Sequence, residues 1–218
     1  MGFLPLGFDY NEHLKGFLAS KEDGNYAILR FSENRRYEIF QNFVFDNTVD
    51  DGMNNRVLAN DKLVVLIHKK TKIEIFLPNK VTGLYESSWH TNFMTAEGLK
   101  SPHTLYLDKN NFILSSDESG CEIIKVNTEK QKLEYTHKIH FPFKNSMIYN
   151  VLNSDMVAFL GKGDKLHIFS PIGNSGKYKK VGDFQNIYDI DLNLIIGFEN
   201  QLFFNRHEGN IIRVKLRP

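Results

Sequence analysis

The sequence has almost no cysteine, tryptophan or proline. Cys121 is the single thiol, Trp89 is the single tryptophan, and six prolines are spread over 218 residues. A single cysteine excludes an internal disulfide framework and a cysteine-rich zinc site. It also fits the reducing interior of a cell. We therefore predict an intracellular, cytoplasmic protein.

Long apolar runs and an excess of charge of one sign are also missing. No stretch approaches the roughly 20 apolar residues that a membrane helix needs, and the N-terminal segment FLPLGF is short, broken by Pro5 and without a basic flank, unlike a signal peptide. Twenty-seven basic against 26 acidic side chains leave a formal charge of +1. We expect no membrane contact, and binding to a polyanion needs a local basic patch.

A repeat of short β-type segments is the main pattern that the sequence does contain. Each segment follows another β-rich run and a tight polar turn, which predicts a hairpin, and further strands flank most pairs. Helical periodicity is almost absent. The sequence therefore predicts an all-β fold with about four strands per unit. The repeated segments are YEIF from Tyr37, IEIF from Ile73, IIKV from Ile123, LHIF from Leu166 and IIRV from Ile211.

Units of roughly 40 to 45 residues with four strands resemble blades of the β-propeller superfamily, and IEIF and LHIF resemble the third strand of a WD40-type blade. The Trp-Asp and Gly-His pairs of the WD40 signature are absent, so no specific family is implied. The resemblance implies one propeller domain over residues 1–218 with about five four-stranded blades and an inter-blade insertion at about 86–103. We expect FLPLGF to complete the last blade; alternatively, it begins the first blade.

No group of residues in the sequence has the spacing of a known catalytic or metal site. The best catalytic candidates are Asp189 and Asp191, which share one face of a predicted inner strand. Glycoside hydrolases with five blades use paired carboxylates there, but no matching glutamate accompanies this pair. We predict that the protein is not an enzyme and uses no cofactor, metal or small-molecule substrate. A carbohydrate-active enzyme or lectin stays as an alternative.

Three residues of the insertion are candidates for partner binding. Trp89, Phe93 and Met94 fall outside the predicted strand pattern. Tryptophan and other large apolar residues in such positions are typical anchors of protein interfaces. The alternative is that they fold back and cover a gap between blades.

Basic residues are candidates for contacts with RNA phosphates. Arg35 and Arg36 precede one repeated segment and Lys69 to Lys72 precede the next, so we predict that both occupy the turn between second and third strands and lie on one face. The alternative is that these turns are simply solvated. In that case the basic residues of the C-terminal strand protect its edge against aggregation. The candidates are Arg35, Arg36, Lys69, Lys70, Lys72, Lys177, Lys179, Lys180, Arg213, Lys215 and Arg217.

These patterns favour a binding protein. We expect a non-enzymatic propeller that docks onto a larger protein or ribonucleoprotein assembly as a scaffold or regulatory subunit. The alternative is an RNA-contacting factor bound to a particle such as the ribosome, which would bind in a strongly salt-dependent manner.

Overall fold

All regular secondary structure in the described residues is β-strand. The structure is a computed structural model, and it describes residues 5–11, 16–21, 25–44, 56–68, 72–92, 104–116, 120–140, 147–152, 156–160, 165–185, 190–198, 201–206 and 211–215. Within these ranges no helix is long and apolar enough to cross a membrane. The prediction of an all-β chain is confirmed.

The described strands form five antiparallel sheets, and within each sheet the strands follow one another in chain order. Sheet 1 contains β1 (Pro5–Asn11), β2 (Gly16–Lys21), β3 (Tyr26–Phe31) and β4 (Tyr37–Phe43). Sheet 2 contains β5 (Arg56–Ala59), β6 (Val64–His68), β7 (Lys72–Pro78) and β8 (Tyr85–Asn92). Sheet 3 contains β9 (Thr104–Leu107), β10 (Phe112–Ser116), β11 (Gly120–Asn127) and β12 (Lys132–His140). Sheet 4 contains β13 (Met147–Leu152), β14 (Met156–Leu160), β15 (Lys165–Pro171) and β16 (Tyr178–Gln185). Sheet 5 contains β17 (Ile190–Phe198), β18 (Gln201–Arg206) and β19 (Ile211–Lys215).

The N-terminal segment begins sheet 1. Pro5 pairs with Lys21 and Asn11 with Gly16, so β1 and β2 form a hairpin. The expectation that FLPLGF completes the last sheet is therefore wrong, and the alternative, that it begins the first, is correct. Pairing with the next segment closes a short loop, which costs less chain entropy than pairing with the far end of the chain.

By its internal contacts the chain divides into two compact units, residues 1–94 with 127–133 and residues 95–126 with 134–218. That residues 1–218 form a single domain stays a prediction. In the first unit, sheets 1 and 2 pack face to face, and Phe43 of β4 meets Phe76 of β7 edge-on with ring centroids 5.5 Å apart. Alternate strand residues supply this core, as the pleat requires. The buried cluster is formed by Ile28, Phe43, Val57, Ala59, Val64, Leu66 and Tyr85.

Two hydrogen bonds join the outer strands of sheets 1 and 2. The Gln41 amide donates from Nε2 to the carbonyl of Tyr85 at 2.7 Å, and its Oε1 accepts from the Tyr85 N–H at 2.7 Å. The Tyr85 hydroxyl donates to the carbonyl of Asn60 at 3.0 Å. Burial raises the pKa of Tyr85, so this donor stays protonated. Gln41 thereby satisfies two main-chain groups at the start of β8 that packing removes from water.

The second unit repeats this arrangement between sheets 3 and 4. Tyr178 opens β16 as Tyr85 opens β8, and each pairs with a proline of the preceding strand. Residues 76–85 and 169–178 share the pattern Phe-x-Pro-x-x-x-x-Gly-x-Tyr. The Tyr178 hydroxyl donates to Oδ2 of Asp108 at 3.2 Å. The buried cluster is formed by Phe112, Leu114, Cys121, Ile123, Ile139, Val157 and Tyr178.

His137 occupies in the second unit the place of Gln41 in the first. Each lies two residues before the buried residue of an outer strand, Ile139 and Phe43 respectively. The Nδ1 atom of His137 is buried without a hydrogen bond to any described residue. Burial and, secondarily, the charge of Lys177 lower the pKa of His137. The contact between sheets 3 and 4 therefore holds a histidine that resists protonation.

We expect Gly176→Ala to destabilise the fold more than Gly83→Ala. Both glycines occupy the same place in the shared pattern and have φ of 71°, so both variants incur about 1 kcal/mol of backbone strain. A Cβ at Gly176 would collide with the ring of Phe112, whereas nothing lies within 4 Å of a Cβ at Gly83. Denaturant unfolding should show an additional loss of about 1–3 kcal/mol for Gly176→Ala. Equal losses would contradict this packing.

We expect His137→Gln to remove part of the acid sensitivity of the fold. Because the pKa of His137 in the folded protein lies below its ordinary value of 6.5, the unfolded chain binds more protons between these two values. This group therefore lowers the stability of the fold as the pH falls through 6.5, and it has no such effect at higher pH. Thermal melts should show a smaller decrease on acidification for the variant. Equal decreases in melting temperature on acidification for both proteins would show that His137 does not contribute to the acid sensitivity.

Candidate docking site

Three large apolar side chains lie exposed together on the outer hairpin of sheet 1. Phe31 of β3 is 58% exposed, Tyr37 of β4 is 49% exposed and Ile39 is 45% exposed. Phe31 and Tyr37 are a cross-strand pair with ring centroids 5.2 Å apart in an edge-to-face arrangement. Ile39 follows Tyr37 on the same face of β4. We call these three residues the apolar patch, since grouped exposed apolar residues mark interaction sites.

The turn of this hairpin holds an arginine in a left-handed conformation. The Ser32 N–H donates to the carbonyl of Arg36 at 2.8 Å and the Arg35 N–H donates to the carbonyl of Ser32 at 3.0 Å. Arg35 has φ of 57°. Hairpins of this type favour glycine at the left-handed position. An arginine costs about 1 kcal/mol there, and strain of this kind is often retained at functional positions.

The charges at the hairpin tip are unequally paired. Nε of Arg36 lies 3.0 Å from Oε1 of Glu38, and the Ser32 hydroxyl donates to the same oxygen at 2.9 Å. The hydrogen bonds from Ser32 and then Arg36 lower the pKa of Glu38, so its carboxylate stays ionised. Arg35 makes no side-chain ion pair with a described residue. Beside the apolar patch, the tip therefore carries one arginine paired with Glu38 and a second, Arg35, that pairs with no described residue.

The base of the hairpin is fixed by packing. The guanidinium of Arg30 lies 3.7 Å above the ring centroid of Phe40, Gln41 bonds to sheet 2, and Phe43 is buried in the shared cluster. One end of β4 is thus held against sheet 2 while the other carries the apolar patch. The patch therefore lies on a rigid element, which limits the entropy lost when a partner binds.

Trp89 lies in a strand and not in an inter-blade connection. It belongs to β8, pairs with Ile75 of β7 and is only 7% exposed. The sequence pattern does not predict this strand, because the residues around Trp89 are polar, as is typical of an outer strand that faces solvent. Phe93 and Met94 lie outside the described residues. That these three residues bind a partner stays a prediction.

The basic turns predicted to share one face do not occupy equivalent positions. Arg35 and Arg36 lie between the third and fourth strands of sheet 1, whereas Lys72 begins the third strand of sheet 2. Successive turns of an antiparallel sheet lie at opposite ends of its strands, so the prediction of a common face is wrong. Lys69 and Lys70 lie outside the described residues.

Exposed basic residues recur instead at the turn between third and fourth strands. Every four-stranded sheet of the described structure carries at least one there. The sequence does not reveal this regularity, because the segment from Tyr37 resembles a third strand although it is the fourth strand of sheet 1. The residues are Arg35 and Arg36 in sheet 1, Lys80 in sheet 2, Lys130 in sheet 3 and Lys177 in sheet 4.

The remaining basic candidates lie on outer or terminal strands. Lys179 and Lys180 are exposed on β16, and Arg213 is exposed on β19. Lys215 ends β19, and Arg217 lies outside the described residues. Their contact with RNA stays a prediction.

An imidazole and a carboxylate pair across β15 and β16. Nδ1 of His167 lies 2.6 Å from Oδ1 of Asp183, and Nζ of Lys180 lies 2.6 Å from the same oxygen. His167 is buried and is the cross-strand neighbour of Asp183. The arrangement links the two strands and compensates the charge of Lys180. Lys180 is therefore a weaker phosphate contact than its exposed position indicates.

Asp108 is a buried turn residue and Asp191 is a strand residue. Oδ1 of Asp108 accepts the N–H groups of Asn110 and Phe112, each at 2.8 Å, and so holds the turn between β9 and β10. Asp191 lies in β17, opposite Asn205 of β18. Asp189 lies outside the described residues. A sugar site at Asp189 and Asp191 stays a prediction.

The sheets are β-propeller blades, and the protein has a β-propeller fold. No protein-family model and no curated protein matches the sequence. A "putative 6-phosphogluconolactonase" of Bacteroides uniformis is similar at 14% identity and TM-score 0.59, over 97% of this chain and 66% of that one. A protein of the same description from Bacteroides fragilis is similar at 13% identity and TM-score 0.55, over 99% and 71%. The WD40 domain of SCAP from fission yeast is similar at 10% identity and TM-score 0.56, over 99% and 56%.

These similarities correct the prediction that the protein is not an enzyme. Two of the structures that share its fold are each described as a "putative 6-phosphogluconolactonase", so a propeller fold without a recognisable catalytic motif is no argument against catalysis. The prediction was wrong because propeller folds host many activities, whose residues come from loops and strands far apart in the sequence. Identities of 14% and below show the fold alone, and they assign no activity to this chain.

We expect substitutions in the apolar patch to leave stability almost unchanged. Phe31→Ser and Tyr37→Ser remove side chains that are about half exposed, so each should cost less than about 1 kcal/mol. Phe43→Ala is the matched control, because it opens a cavity between sheets 1 and 2 and should cost about 3–5 kcal/mol. Denaturant unfolding compares the three variants. A loss for Phe31→Ser or Tyr37→Ser as large as that for Phe43→Ala would contradict the exposure of the patch.

Proposed function

We propose that this β-propeller protein docks onto a larger protein or ribonucleoprotein assembly as a scaffold or regulatory subunit, with the apolar patch as its contact. The observation that carries the proposal is that two aromatic side chains and one aliphatic side chain are exposed together on one hairpin. Aromatic residues are frequent energetic centres of protein interfaces.

The surroundings of the patch also support docking. Two arginines lie at its edge, and arginine is enriched with aromatic residues in interface hot spots. The hairpin is fixed at its base by Gln41 and Phe43. A partner therefore meets a preformed surface and loses little entropy in ordering it.

A second candidate function is contact with RNA, favoured by the exposed basic residue at the turn between third and fourth strands in each sheet that has four described strands. Such contacts release counterions from the nucleic acid. Binding should then weaken steeply as the salt concentration rises, which distinguishes RNA contact from docking through apolar side chains. The residues concerned are Arg35, Arg36, Lys80, Lys130 and Lys177.

We expect the full-length, affinity-tagged protein to co-purify from its native cells with a defined assembly. The triple variant Phe31→Ser, Tyr37→Ser, Ile39→Thr should lose at least about nine-tenths of that assembly, since each anchor is worth about 1–2 kcal/mol. The double variant Val81→Ser, Leu84→Ser is the matched control. It also removes exposed apolar side chains, but at the turn between the third and fourth strands of sheet 2.

The salt dependence of co-purification separates the candidate functions. Retention of the assembly in high salt together with loss in the triple variant supports docking through the patch. Loss in high salt, with retention by the triple variant and loss when Lys80, Lys130 and Lys177 are replaced by glutamine, favours RNA contact. Equal recovery of the assembly with wild type, triple variant and control would refute the role of the patch.

A further inference from the structure

We propose that β4 accepts an extended segment of a protein partner as an added strand along its open edge, beside the apolar patch. This inference rests on the docking function proposed above and specifies the kind of partner. β4 is the last strand of sheet 1, and among the described strands β3 is its single neighbour. A strand in this position offers main-chain N–H and C=O groups with which another chain can pair.

No described strand pairs with the outer edge of β4, and the first half of the strand is exposed. Tyr37, Glu38 and Ile39 are consecutive and all exposed, so both faces of the strand are accessible there. Towards its end, β4 is covered, because Gln41 bonds to sheet 2 and Phe43 is buried. An added strand can therefore run along residues 37–39 and past the hairpin tip.

β4 is less protected than β8 and β16, although β16 also exposes Val181. β16 exposes Lys179 and Lys180, and β8 exposes Glu86 and two serines. Natural edge strands use charged and polar side chains, lysine above all, to prevent pairing with foreign strands. β4 instead exposes an aromatic and an aliphatic residue on one face, and its charged residue Glu38 is compensated by Arg36.

The side chains around this edge define the chemistry of the partner segment. Residues of an added strand alternate between faces, so β-branched or aromatic side chains at every second position would pack against Tyr37 and Ile39. Arg35, at the tip, forms no ion pair with any described residue and adopts a conformation that favours glycine. A carboxylate at the end of the partner segment would pair with it. The expected partner is thus an extended apolar segment flanked by an acidic residue.

The test selects phage-displayed random peptides on the folded full-length protein, with counter-selection on Tyr37→Lys, Ile39→Lys. Selected peptides should alternate β-branched or aromatic residues and carry a carboxylate near one end. When such a peptide is bound, outward-facing amides of residues 37–39 should exchange hydrogen roughly tenfold more slowly, as paired strand amides do. If the lysine variant fails to fold, Tyr37→Thr, Ile39→Thr replaces it, since threonine suits strands.

A substitution at the tip separates binding from stability. Arg35→Gly relieves the left-handed strain and should not lower the melting temperature, yet it should weaken peptide binding roughly tenfold through the lost charge pair. Lys80→Gly, at the corresponding turn of sheet 2, is the control and should leave affinity unchanged. Equal peptide affinity of wild type and Arg35→Gly would show that the partner segment needs no acidic residue to pair with Arg35.

Other outcomes overturn strand addition. Peptides that bind through Tyr37 and Ile39 without slowing exchange in β4 would show docking by side chains alone, and the proposed docking function would stand. If no peptide depends on Tyr37 and Ile39, the edge is not a peptide site. Self-association of the wild type that the lysine variant abolishes would identify a second copy as the occupant. The docking function itself is tested separately, by the co-purification experiment with the triple variant.

Discussion

The face-to-face packing of neighbouring sheets around a tyrosine at the start of an outer strand is the constraint on which the other features depend. Tyr85 fills this place between sheets 1 and 2, and Tyr178 fills it between sheets 3 and 4. Each also donates a hydrogen bond to a turn between first and second strands. In the first unit this packing covers only the end of β4 near Phe43. The register shift in β4 places Tyr37 and Ile39 on the opposite face from Phe43, and there they are exposed and form the candidate docking site.

The repeat allowed much of the fold to be predicted from sequence. The segments that begin at Ile73, Ile123, Leu166 and Ile211 all lie in third strands, as their resemblance to propeller blades implied. The segment that begins at Tyr37 is a fourth strand. A hairpin pattern is local, whereas the position of a strand in its sheet depends on how many strands precede it. Here β1 and β2 precede the hairpin in sheet 1, so the segment from Tyr37 takes the fourth position.

The candidate site could not be predicted for a related physical reason. Phe31, Tyr37 and Ile39 have the pattern of core residues, and whether an apolar strand residue is buried depends on the sheet that packs against it. Trp89 shows the converse, because its polar neighbours are typical of a connection while packing buries its indole. Prediction of the function from sequence was limited in the same way. Propeller folds serve both binding and catalysis, and only the residues of the site distinguish these functions.

The most direct test of docking through the apolar patch is site-specific photo-crosslinking in the native cells. A photoreactive phenylalanine analogue replaces Tyr37 in one strain and Val81, which is 93% exposed in sheet 2, in another. Docking through the patch predicts a defined crosslinked protein from position 37 and none, or a weaker and scattered set, from position 81. The absence of a product at position 37, or the same products from both positions, would contradict it.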